Sequence, residues 1–409
     1  MPFCDVSRYE KGWEKSEGGE GNGIKIFYRR YGRGSTKVLF IIGLAGTHES
    51  WGPQIKGLTG TVEPNQEELP PPPAAVDRGI DSHDGNEEEE EEGGIEVCCF
   101  DNRGMGRSSV PTKKSEYTTT VMARDALALL DHLGWKRSHV FGHSMGSMIA
   151  CKLAAMAPER LCSLALINAT GGGFECFPKI DRQMISLAYR FLRAKTPEER
   201  AAVDLETHYT KEYLDEYVGS CTRRKILYQE YVKAISLTGM QSNYGFEGQV
   251  NACWTHKMTT KELDTIRSSG FLVSVIHGRY DIIAQLYHAR RLAEKLHPAA
   301  RMVELHGAHL VSHERPDEVN LALMDLIRAS KSKLRMQDWS SNPERESGIT
   351  ISVSFRNNGE AAALAALYNF LGKLQLSVLY IIGAFVIVFR HMKNTLRISK
   401  LVRVTAAES

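Results

Sequence analysis

Ser144 stands in Gly142-His143-Ser144-Met145-Gly146, a Gly-x-Ser-x-Gly pattern in which a serine hydroxyl can act as a nucleophile. His139 to Phe141 before it reads as a strand and Met145 to Ala157 after it as a helix, so the serine falls on the turn between them. Gly142 and Gly146 leave the room that such a turn needs beside neighbouring backbone. A bare five-residue match would arise often by chance as a turn serine; the strand and helix around it make this one specific. The helix starting near Met145 also aims its free N–H groups at developing negative charge.

A serine hydroxyl needs a base, and Leu305-His306-Gly307-Ala308-His309-Leu310-Val311-Ser312-His313 offers three histidines just beyond a strand. His309 follows the small Gly307-Ala308 turn, where a catalytic loop would lie. His306 is still leaving the strand and His313 enters the final helix, which suits surface or packing roles. The imidazole in turn needs a carboxylate on a neighbouring loop. Asp281, in His277-Gly278-Arg279-Tyr280-Asp281, lies just past another strand end and is the leading candidate, against an ordinary helix N-cap aspartate; Asp264 is less well placed. A tetrahedral intermediate needs two N–H donors. Met145, next after the serine, supplies one, and the loop Gly43-Leu44-Ala45-Gly46 after Val38 to Ile42 supplies the other, expected from Leu44, unless that loop is only a tight turn.

The elements that must hold these residues alternate. Val38–Ile42, Ile95–Phe100, His139–Phe141, Leu164–Ile167, Phe271–Ile276 and Arg301–Leu305 read as strands, mostly as unbroken apolar runs covered on both faces. Ala123–Leu133, Met145–Ala157, Leu286–Leu296 and Pro316–Ala329 read as helices. Strand followed by helix, repeated, implies an α/β fold with a parallel sheet and right-handed crossovers. Gly23 to Tyr31 adds an antiparallel hairpin arm with a strand before it.

With these motifs in order, the chain resembles the α/β-hydrolase family, in the branch of enol-lactonases, carboxylesterases and carrier-protein methyl ester esterases. Phe100-Asp101-Asn102-Arg103-Gly104-Met105-Gly106-Arg107-Ser108 is similar to the family's Asp-x-Arg-Gly-x-Gly-x-Ser signature, a structural turn outside the triad; Trp51 after the oxyanion loop and Arg315-Pro316-Asp317 before the last helix fit as well. The resemblance spans about 23–329. It implies a mostly parallel eight-stranded sheet, the order nucleophile, acid, histidine, and a helical cap over the nucleophile at 170–267. The cap bears Tyr209, Tyr213, Tyr217, Tyr228, Tyr231, Tyr244, Phe246 and Trp254, at a spacing that suits cap core better than substrate contact. The chain departs from the family at Ile42-Gly43, where many members have His-Gly, and at Ala308-His309, where Gly-His is usual.

The expected function is cleavage of an ester, thioester or lactone through an acyl-enzyme, with a small-molecule acyl substrate and no metal or organic cofactor. Serine at the elbow, where epoxide hydrolases and haloalkane dehalogenases carry aspartate, argues against those chemistries. The alternatives are a ligand receptor or scaffold on the same fold, and an aminopeptidase of the proline iminopeptidase type, which needs an acidic amine site not evident in the cap. A formal charge of +2 across 409 residues gives no reason to expect a nucleic-acid partner. The eight cysteines show no Cys-x-x-Cys pairing, and Met1-Pro2-Phe3-Cys4 has no basic-then-apolar leader pattern, so reduced thiols in a cytosol-facing domain are expected.

Two stretches break the globular character. Residues 60–94 carry Pro70 to Pro73 and the run Glu87 to Glu92, which cannot bury enough apolar surface to offset ordering; a disordered insert, or an acidic docking segment, is expected. A polar linker over 331–360 then leads to an expected membrane-anchor helix and basic tail at 361–409, whose run Leu374–Phe389 has no charge. That run would span about 24 Å as a helix, against a hydrocarbon core of about 30 Å, and reaches further if Phe370 to Lys373 join it. Arg390, Lys393, Arg397, Lys400 and Arg403 beyond it would prefer the cytosol, whereas so short a tail leaves the hydrolase there instead. A tail anchor in an outer organellar membrane, or a helix lying in the interface, accommodates both; without an anchor the protein would be cytoplasmic.

Overall fold

Apolar runs buried on both faces require helices on both sides of the sheet, and the computed structural model, which describes residues 2–9, 23–66, 93–176, 178, 179 and 181–341, has that arrangement. The strands, in chain order, are β1 (Phe3–Asp5), β2 (Lys25–Tyr31), β3 (Thr36–Ile41), β4 (Ile95–Phe100), β5 (Ser138–His143), β6 (Leu161–Ile167), β7 (Tyr217–Val218), β8 (Cys221–Thr222), β9 (Leu272–Gly278) and β10 (Ala300–Leu305). β7 and β8 form a separate antiparallel pair, and the rest make one eight-stranded sheet in the order β1-β2-β4-β3-β5-β6-β9-β10. From β4 to β10 every pairing is parallel, while β1 and β2 form the expected antiparallel arm.

The helices are α1 (Gly52–Thr59), α2 (Thr119–His132), α3 (Met145–Met156), α4 (Arg182–Arg193), α5 (Pro197–His208), α6 (Lys211–Asp215), α7 (Arg223–Thr238), α8 (Asn243–Thr255), α9 (Thr260–Ser268), α10 (Leu286–Leu296), α11 (Val311–Glu314), α12 (Pro316–Lys331) and α13 (Met336–Ser341). Side-chain alternation along each strand feeds two cores. Leu39 and Ile41 of β3 join Val140, Leu164 and Val273 under α2, α3 and α10, whereas Val38 and Phe40 join Phe141, Ala165 and Ile276 under α1 and α12. α2 begins earlier than its apolar pattern suggests because the Thr118 hydroxyl caps it, accepting from the Val121 N–H.

Two boundaries differ from the sequence reading. α9, assigned there to the cap, places Ile266 in the core beneath α3 and α10, so the helices above the sheet's end are α4 to α8. The first part of the expected polar linker is folded as α13: Trp339 is 1% exposed, its indole N–H donates to the Val273 carbonyl at 2.7 Å, and the Arg301 guanidinium lies over its ring. One tryptophan in a polar stretch gave no periodic signal, yet it is large enough to anchor the segment. By its contacts the chain divides into Met1–Thr350 and Ile351–Ser409. No helix among the described residues is long and apolar enough to cross a membrane; the expected hydrophobic helix at 361–409, and the runs Pro70 to Pro73 and Glu87 to Glu92 of the insert, lie outside them. The eight cysteines are all free thiols.

Candidate active site

The strand order reverses around β3, which lies between β4 and β5, so the loops after β3 and β5 open a crevice at the carboxyl end of the sheet. Ser144 sits there, between β5 and α3, with φ 53 and ψ −119, a conformation that L residues adopt only when their surroundings impose it. Its N–H donates to the Ile167 carbonyl of β6 at 2.9 Å, and its own carbonyl receives Ser147 N–H at 2.9 Å. Both glycines of the motif are sterically required: a Cβ on Gly142 would strike the Gly146 carbonyl, and one on Gly146 would strike the Ile41 carbonyl of β3.

The three residues expected to act together are adjacent. His309 Nε2 is 3.0 Å from Ser144 Oγ, and His309 Nδ1 is 2.8 Å from Asp281 Oδ2. An N–H at Nδ1 donating to the carboxylate leaves the Nε2 lone pair to accept the serine proton. Asp281 receives four donors: Ile283 and Ala284 N–H on Oδ1, both at 2.8 Å, and His309 Nδ1 and Asn168 Nδ2 on Oδ2. Burial pushes this carboxyl up, but the neighbouring His309 and His277 and the hydrogen bonds from His309 and Asn168 outweigh it and hold it at about 2. Neither of the other two histidines takes this place. His306 accepts from Arg315 at its carbonyl, and His313 contacts the Ser50 carbonyl and the Tyr209 hydroxyl. Asp264 pairs with exposed Arg267.

Several supporting residues escaped the sequence reading. His143 donates from Nε2 to the His309 carbonyl at 2.8 Å, and burial, then the nearby His309, bring its imidazole down to about 3, so it stays neutral. Asn168, with φ 49, bridges Asp281 Oδ2 at 2.7 Å and the Ala308 carbonyl at 3.2 Å, tying the acid loop to the histidine loop. Glu314 accepts from Ala308 N–H and from both Thr210 N–H and Oγ, which fastens the histidine loop to the cap. A strand-end position was the only signal for Asn168, and none marked Glu314.

The loop 43–46 passes beside Ser144, since a Cβ on Gly43 would stand 3.0 Å from Ser144 Cβ. The loop is held on both sides. Asn102 Nδ2 donates to the Ile42 carbonyl at 2.8 Å, and Gln249 Oε1 of α8 receives Ala45 N–H at 2.9 Å while its Nε2 reaches the Arg103 carbonyl. Asp101 of the signature turn accepts from His48 N–H and Arg107 N–H, a structural task as expected. Leu44 therefore lies on a braced loop next to Ser144, and Met145 opens α3.

The cap closes over this end. The His208 ring is 5.7 Å from that of His309, and Leu310 N–H donates to the His208 carbonyl. Tyr209, Tyr213, Tyr228 and Tyr231 pack into the cap's own cluster, whereas Tyr217, Tyr244 and Trp254 are exposed. A cavity of 260 Å³ adjoins the acid loop, between Asp281, Ile282 and Gln285 on one side and Lys179 and Met184 on the other.

A family model described as the alpha/beta hydrolase fold matches residues 38–316. A candidate non-heme bromoperoxidase, BpoC, of Mycobacterium tuberculosis is 28% identical over 58% of this chain and 85% of its own length. A candidate carbamate hydrolase, RutD, of Azorhizobium caulinodans is 25% identical over 74% of this chain and 95% of its own. Among solved structures, the enol-lactonase of Burkholderia xenovorans LB400 superposes with a TM-score of 0.55 at 21% identity, covering 75% of this chain and 98% of that one, which is a likeness of fold.

Proposed function

The chain belongs to the alpha/beta hydrolase family, and from that premise we propose that it is a serine hydrolase that opens a carboxylic ester, thioester or lactone through an acyl-enzyme. The observation that carries this reading is the continuous relay Asp281 Oδ2 to His309 Nδ1 at 2.8 Å and His309 Nε2 to Ser144 Oγ at 3.0 Å. Ser144 Oγ attacks the carbonyl carbon as its proton passes to His309 Nε2; the backbone N–H groups of Met145 and Leu44 receive the oxyanion. His309 then gives the proton to the leaving oxygen or sulfur, and water, activated by the same nitrogen, releases the acid. Asp281 stays ionised throughout and stabilises the transient imidazolium.

A fluorophosphonate probe tests the mechanism: the wild type is expected to label and Ser144→Ala to be silent. Labelling that survives Ser144→Ala refutes the nucleophile, and a wild type that does not label favours the receptor or scaffold reading. A panel of acyl p-nitrophenyl esters, thioesters, lactones, carbamates and aminoacyl amides assigns the substrate class; carbamates enter because of the name carried by one relative. Attachment to a membrane through 361–409 belongs to the same proposal and rests on the sequence. Fractionation with and without those residues tests it, and equal membrane binding by both chains refutes it.

A further inference from the structure

Away from the triad, the amino ends of the central strands surround a second cavity, of 530 Å³, lined by Thr36 of β3, His139 of β5, Lys37, Arg137, Lys331 and Lys333 among others. The six or seven residues of β3, β5 and β6 separate it from Ser144 by about 20 Å, at roughly 3.3 Å per residue. Among the described residues no Asp or Glu lines it. Lys37 shares Glu96 with Arg30. Arg137 donates to the Leu161 carbonyl and Lys331 to the Thr36 hydroxyl, and neither they nor Lys333 have a carboxylate partner among the described residues. Three cations without a carboxylate partner among the described residues thus face one cavity beside Lys37.

Two further features bear on what the cavity holds. Lys333 sits at φ 52, fixed by Lys333 N–H to the Ser330 carbonyl and Leu334 N–H to the Ala329 carbonyl, a position after a helix end that favours glycine or asparagine. A lysine is held at the rim despite that conformation. His139 is 3% exposed, with Nδ1 2.7 Å from Ser163 Oγ. Burial first, then the charges of Lys331 and Arg137, bring its imidazole down to about 4, so it adds no charge to the cavity wall. Like charges gathered around a concave, partly walled space focus potential and attract a counter-ion.

We propose that this cavity is a binding site for a phosphorylated small molecule, its phosphate held by Arg137, Lys331 and Lys333 with the Thr36 hydroxyl. A guanidinium and two ammonium groups exceed the two negative charges of a phosphate dianion by one and supply N–H donors for each of its oxygens, and the volume admits more than a bare phosphate.

Calorimetric titration of the full chain with inorganic phosphate, then with pyrophosphate, tests it. The expected result is saturable binding with one site per chain, tighter for pyrophosphate. The double variant Arg137→Gln, Lys331→Gln should weaken it by about tenfold or more, the scale of one lost charge-assisted hydrogen bond. Lys56→Gln, an exposed change outside the cavity, should leave it unaltered, and fluorophosphonate labelling should be equal in all three proteins. Vesicles of phosphatidic acid in phosphatidylcholine distinguish the source: binding to them through Arg137 and Lys331, without binding of the free anions, assigns the phosphate to a lipid headgroup. Absence of saturable binding in both arms, or affinity unchanged in the double variant, overturns the proposal.

Discussion

Replacing Asp281 by asparagine tests the relay at its most constrained point. Four donors converge on the carboxylate, two on each oxygen, and an amide offers only one oxygen. If the amide nitrogen faces Ile283 and Ala284, two backbone N–H groups lose their acceptor. If it faces His309, that imidazole turns to the tautomer whose Nε2 carries the proton, and Ser144 loses its base. A wrong tautomer in a triad of this kind costs about four orders of magnitude in kcat, or about 5 kcal/mol of barrier. Stability falls as well. The descent of the carboxyl from its ordinary 3.8 to about 2 corresponds to about 2 kcal/mol, at about 1.4 kcal/mol per pH unit. The folded protein binds this proton less tightly than the unfolded chain, so the contribution is full above about pH 4 and is lost as the pH falls toward 2. Hydrolysis of a p-nitrophenyl ester and urea unfolding at a series of pH values provide the two readouts. The stability gap between wild type and Asp281→Asn should be constant from neutral pH down to about 4 and narrow below it. A loss of kcat under about tenfold in a folded variant, or a gap that narrows already near neutral pH, refutes the reasoning.

Three other outcomes follow from the packing. Gly146→Ala should lower the melting temperature sharply and cost about 3 kcal/mol or more, because the new methyl meets backbone oxygen of β3 rather than a movable side chain; full stability by thermal denaturation would contradict this. Gln249→Ala frees the Ala45 N–H and the Arg103 carbonyl together and should lower kcat more than it raises KM, with a stability cost of about 1–3 kcal/mol; a change in KM alone would detach the cap from the oxyanion loop. Trp339→Ala should destabilise by about 3–5 kcal/mol, so ending the chain before Met336 lowers the melting temperature whereas ending it after Ser341 spares this contact.

Much of the framework was legible because its signals are local. Unbroken apolar runs fix β3, β4 and β9 to within a residue or two, and the order of Ser144, Asp281 and His309 at strand ends points to their meeting. The residues that were not legible act across the chain. His143 reaches the His309 carbonyl over 166 positions, Asn168 bridges two later loops, Gln249 descends from the cap onto Ala45, and Trp339 returns to β9. None carries a period or spacing of its own, since a single polar or aromatic side chain acquires its partner only when distant elements pack. The basic cavity belongs with them: Lys37, Arg137 and Lys331 are unremarkable surface cations in sequence, and only the parallel sheet brings its strands' amino ends together around one space. By itself the sequence determined the fold class and which side chains are candidates for the chemistry, because periodicity and turn chemistry are properties of neighbours. Tertiary structure decided how those groups are braced, where the cap and the folded C-terminal segment end, and where charge collects, because each depends on distances between residues far apart in the chain.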